Sequence, residues 1–131
     1  MPQNYSGAKG RSKTATFFRF PKEVLHSKQY AALGGWEVKL IADFGAMYNG
    51  KNNGDFSAAW VIMSERGWKS KGTLYKAIKA TMKAGFVTVT RQGGRNKTSL
   101  YALTFIAIDH CEGKLDVSET KRPPNFWKKK K

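Results

Sequence analysis

The chain has 131 residues, 40% of them hydrophobic, enough for one domain with a real core and little more. Its formal net charge is +15, which points to a polyanionic partner, nucleic acid ahead of an anionic membrane surface. Cys111 is the only cysteine and His26 and His110 the only histidines, so an intramolecular disulfide is excluded and a zinc site lacks a ligand set. No apolar run approaches the ~20 residues that span a bilayer, and the start has no signal-peptide core. A cytoplasmic or nucleoid-associated protein with no membrane partner is expected.

In chain order, "MPQNYSGAKGRSKTAT" has no apolar periodicity and reads as a flexible basic arm over 1–16. "TFFRFP" is extended in character, and Pro21 is suited to open a short helix, "PKEVLH", at its first position. Trp36, Leu40, Phe44 and Met47 recur at helical spacing, with Ile41 and Tyr48 widening the stripe, which predicts a core helix over 35–49. "NGKNNGD" holds two Asn-Gly pairs and reads as a tight loop. Ser57 is a candidate cap for a short helix, "AAWVIMSER", that Gly67 ends in a left-handed conformation.

Ser70 is a second candidate cap, and the helix it opens runs over about 70–84 to Gly85. At about 100° per residue, Leu74, Ile78, Thr81 and Met82 fall on one face, and Lys76, Lys79 and Lys83 on the opposite one, with Gly72 and Thr73 near the lysine side. "FVTVT" then alternates as a strand, "RQGGRNK" forms a Gly-rich turn, and "TSLYALTFIAI" supplies a second strand. Residues 111–131 read as a linker and basic tail.

Between Lys69 and Lys97 stand Lys69, Lys71, Lys76, Lys79, Lys83, Arg91, Arg95 and Lys97, without one Asp or Glu. Surface helices usually mix signs, because Glu and Lys four apart support each other and like charges at that spacing cost stability. A one-sign face therefore asks for an anionic partner. The order helix, Gly-containing turn, helix, hairpin is that of a helix-turn-helix, whose second helix enters the DNA major groove, followed by a wing. The expected fold class is α+β, mainly helical with a C-terminal two-stranded wing, in one domain over 17–110.

"GWKSKGTLYKAIKATMKAGFVTVTRQGGRNKTSLYALTF" resembles a winged helix-turn-helix domain, and "YNGKNNGDFSAAW" before it resembles small winged-helix proteins of prophages, plasmids and other mobile elements. The likeness spans roughly residues 20–108 and implies binding of double-stranded DNA by a transcription regulator or a replication initiator. By position in that fold, Ser70, Gly72, Thr73 and Lys76 would meet base edges, and Lys69, Lys71, Lys79 and Lys83 would lie near phosphates. Arg91, Arg95 and Lys97 would grip the backbone or an adjacent minor groove. The first turn departs from many sequence readers in having no Asn, Gln or Arg.

Other signals are weaker. "GGRNKT" lacks the glycine before the lysine of a phosphate-binding loop and leads into a strand. In "NGKNNGD", Lys51 occupies what would be a calcium-ligand position and Trp60 stands where a bidentate Glu is needed. His110 and Cys111 have no carboxylate placed by the sequence to orient them, and Asn96-Lys97-Thr98 would need a secretory route to be glycosylated. No enzyme and no cofactor is expected. Trp36 and Trp60 read as core, Trp68 as a plug of the turn, and Trp127 as a tail residue able to stack on unpaired bases. Single-stranded DNA is thus a further partner through the tails. A non-sequence-specific architectural protein and a protein-interaction module are the alternatives, and homodimerisation through the N-terminal strand or the 35–49 helix is open.

Overall fold

The computed structural model describes residues 16–128, so the arm expected over 1–16 lies outside them except for Thr16. Five helices and a three-stranded antiparallel sheet follow in the order α1 Lys22–Leu25, α2 Lys28–Ala31, α3 Gly35–Met47, β1 Phe56–Ser57, α4 Trp60–Met63, α5 Lys71–Ala84, β2 Val87–Arg91 and β3 Leu100–Leu103. This is a small α+β domain.

The apolar stripe of α3 supplies Leu40, Ile41 and Phe44 to the core, where they meet Leu74 and Ala77 of α5, Phe56 and Leu103 of the sheet, Met63 at the end of α4, and Trp68 from the connection between α4 and α5. Phe44 stacks on Phe56 and Tyr101 at 5.6 and 5.7 Å between ring centroids. Beside Ile41 on α3, a Cβ on Gly45 would lie 2.6 Å from the Phe18 ring. The bare helix surface admits that ring, and Phe18 and Phe20 both pack on Phe105, which ties the segment before α1 to the domain.

The expected hairpin gains a third strand. β3 lies between β1 and β2, with Phe56 opposite Tyr101 and Val87 opposite Leu103. Ser57, expected as a helix cap, is therefore a strand residue; its Oγ still accepts the Ala59 N–H at 3.1 Å, and α4 starts at Trp60. Pro21 precedes α1 as its cap position instead of opening it. Gly67, with φ 98°, ends the 3-10 turn Ser64–Arg66 after α4, as the sequence predicts.

β3 also stops short of the expected residue 108, and Asn53 is the reason. This fully buried side chain from the Asn-Gly loop donates its amide to the carbonyls of Leu103, Ile106 and Ala107 at 2.9–3.0 Å and accepts the Leu103 N–H at 2.9 Å. Carbonyls held by one side chain cannot run on in a ladder, so the chain bends there. Two further expectations shift. Trp36 is 45% exposed, because it stands in the first turn of α3, tilted against Trp68 at 5.0 Å, and Trp68 fills the core below it. Met82 lies at the margin of the α5 stripe, 37% exposed, while Ala77 takes the buried position.

Residues 111–128, expected as linker and tail, fold back on the domain. Trp127 is 4% exposed and stacks on Phe86 at 5.7 Å. The Asp116 N–H donates to Thr90 O and its carboxylate accepts the Gln92 N–H, covering the outer end of β2. An aromatic large enough to fill the gap beside Phe86 outweighs the polar composition around it.

Candidate nucleic-acid interface

α5 is built from local rules. Ser70 Oγ accepts the Thr73 N–H at 3.2 Å, satisfying one free amide of the first turn, and Gly85, with φ 91°, closes the helix by donating its N–H to Thr81 O and Met82 O. Leu74, Ala77 and Thr81 are buried, and the Thr81 hydroxyl donates to Ala77 O at 2.9 Å, so no polar atom on that face is left open. Burial of that stripe turns Gly72, Lys76, Lys79 and Lys83 outward, all exposed. Lys69, Ser70 and Lys71 at the helix start are exposed too, and Thr73 is half-buried.

Three carboxylates are engaged by cations outside α5. Asp43, on α3 and 4% exposed, accepts Trp68 Nε1–H at 2.8 Å and Arg66 Nε–H at 3.0 Å and pairs with Lys39 Nζ at 3.4 Å. Asp55 pairs with Lys114, and Glu23 with Lys128, each at 3.0 Å. Among the described residues, no lysine of α5 takes part in a salt bridge. Like charges three and four apart on α5 therefore stand uncompensated, each such pair costing a few tenths of a kcal/mol in roughly the range measured for helix pairs.

The hairpin holds a second basic group. Gly94 and Lys97 exchange backbone hydrogen bonds at 2.9 and 3.1 Å, which closes the tip around Arg95 and Asn96, the latter with φ 57°. Arg95 and Lys97 are exposed there. Arg91, expected on the backbone or minor groove, is half-buried where the strands meet the tip, and its Nη2 donates to Thr98 O at 2.8 Å. Its Nε is buried with no partner among the described residues. The side chain braces the hairpin first.

Two residues escape the sequence reading. Asp43 falls inside an apolar helix stripe, and beyond its i,i+4 partner Lys39 it is the distant Arg66 and Trp68 that explain its burial. Tyr75 stands on α5 between the buried face and the lysines, 61% exposed, with Lys79 Nζ 5.3 Å from its ring centroid. The helical wheel places it outside the core stripe, which was the available signal.

No described helix is long and apolar enough to cross a membrane, and no group of three or more His, Cys, Asp and Glu among the described residues is arranged to hold a metal ion. Comparison with protein-family models, with curated proteins and with solved structures finds no match.

Proposed function

We propose that this chain is a winged helix-turn-helix protein that binds double-stranded DNA, with α5 as recognition helix in the major groove and the β2–β3 hairpin as wing. The observation that carries the reading is the outer face of α5: Lys76, Lys79 and Lys83 exposed together, opposite a buried stripe, while Asp43, Asp55 and Glu23 pair with other cations. The element order from α3 through β1, α4 and α5 to β2 and β3 is in keeping with it. A duplex supplies the missing counter-charge at regular spacing, and the first turn of α5 brings Ser70, Gly72, Thr73 and Lys76 to base edges. Lys69, Lys71, Lys79 and Lys83 then lie along phosphates, joined by Arg95 and Lys97 of the wing. The mechanism is binding, and the role we assign is that of a regulator or origin-binding factor of a mobile element.

The test is duplex binding by fluorescence anisotropy across a salt series. Each phosphate neutralised adds about 0.9 to the slope of log affinity against log salt. The triple variant Lys76→Ala, Lys79→Ala, Lys83→Ala should lower that slope by about two to three while melting at or slightly above the parent temperature, since repulsion is removed from an exposed face. Parent-like affinity and slope in the triple variant would overturn the reading.

A further inference from the structure

Tyr75 is a strongly exposed aromatic beside the lysine face of α5. It has 61% of its area exposed on a helix whose opposite stripe packs the core, and its ring is met from outside by the Lys79 ammonium at 5.3 Å. One turn before it, Gly72 contributes no side chain, and a Cβ there would meet nothing nearer than Ser70 Oγ at 3.6 Å. The ring is thus flanked by a gap on its N-terminal side and a cation on its C-terminal side. Among the exposed side chains of the first two turns, Lys71, Tyr75 and Lys76, it alone presents an apolar surface.

Lysines bring phosphates to this face and can donate to guanine acceptors, whereas an apolar edge selects a different group. In the major groove that group is the C5-methyl of thymine, the apolar feature that A·T pairs display and G·C pairs lack. Resting on the proposed docking of α5, we infer that Tyr75 is a specificity-determining residue that packs its ring against a thymine methyl and gives the protein a preference for A·T at one base step. The gap at Gly72 lets the groove floor come close enough for that contact, and Lys79 holds the adjacent phosphate.

The experiment compares two random-sequence duplex pools, one containing thymine and one containing uracil in its place, which differ only by the methyl group. The full-length protein should bind the thymine pool more tightly, by up to about four-fold, the factor that burial of one methyl-sized group carries at a site with thymine in place. Tyr75→Ala should bind both pools equally, and Tyr75→Phe, which keeps the ring, should retain the preference; circular dichroism melting checks that the variants fold. Lys79→Ala should weaken both pools alike. Equal binding of both pools by the parent protein, or an undiminished preference in Tyr75→Ala, overturns the proposal while leaving α5 on DNA. A Lys79→Ala protein unchanged on either pool removes the phosphate contact beside the ring and the proposal with it. If Tyr75→Ala loses more affinity for a single-stranded pool than for the duplex pools, the ring stacks on unpaired bases and the methyl contact is wrong.

Discussion

Gly72 occupies the first turn of α5, where glycine costs up to about 0.5–1 kcal/mol relative to alanine, yet a Cβ there would fall in ordinary contact with a single hydroxyl. The fold does not ask for the missing side chain, so DNA is the reason we give for it. Gly72→Ala should gain up to about 0.5 kcal/mol in urea denaturation and lose duplex affinity several-fold. A variant that gains stability and keeps its affinity would show that no DNA group approaches residue 72. Residues also mark where the sequence stopped being legible. Ser70, Gly67 and Gly85 act within four residues of themselves, and their roles could be read directly. Asn53 bonds to groups 50 to 54 positions away, and Asp43 to one 25 positions away. In both cases the local pattern, an Asn-Gly turn and an apolar stripe, describes the backbone and conceals the partner.

At the scale of elements, the long periodic segments were legible and the short or irregular ones were not. α3 and α5 stand close to the expected bounds because their stripes repeat over several turns. β1 is two residues long, too short for any alternation, and it exists only because β3 offers it an edge. The C-terminal segment hid its attachment for a similar reason, since one buried tryptophan has no periodicity. A Cβ on Gly85 would lie 2.5 Å from Phe126 O, so the segment runs directly over the end of α5. Trp127 then closes on Phe86, its Nε1–H donating to Asn125 Oδ1 at 3.0 Å. Trp127→Ala should cost about 3 kcal/mol in chemical denaturation, as loss of a buried aromatic does. A change below about 0.5 kcal/mol, the size expected of a surface site, would show that residues 121–128 do not pack as described.

Over the whole molecule, charge is sorted. Residues 1–15 hold Lys9, Arg11 and Lys13 and no acid, and residues 121–131 hold no acid and six basic residues, one of which, Lys128, pairs with Glu23 of the body. Charge outside the folded face adds affinity without adding discrimination. Deleting residues 1–15 should therefore lower the salt slope by at most about three and leave the preferred motif, selected from a random duplex pool, unchanged. A motif that changes with the deletion would place base contacts in the arm. The folded face itself is set by Asp43. Two of its three partners, Arg66 and Trp68, tie α3 to the turn that leads into α5, and every group in that clamp belongs to the chain. On the proposed docking, a helix already fixed in direction leaves the backbone little to order on contact, and the remaining cost lies in the lysine side chains. Association would then be limited by encounter and by the long-range attraction of a +15 molecule for a duplex. On that reading the buried carboxylate acts on the speed of capture, by sparing the chain a rearrangement once the two surfaces meet.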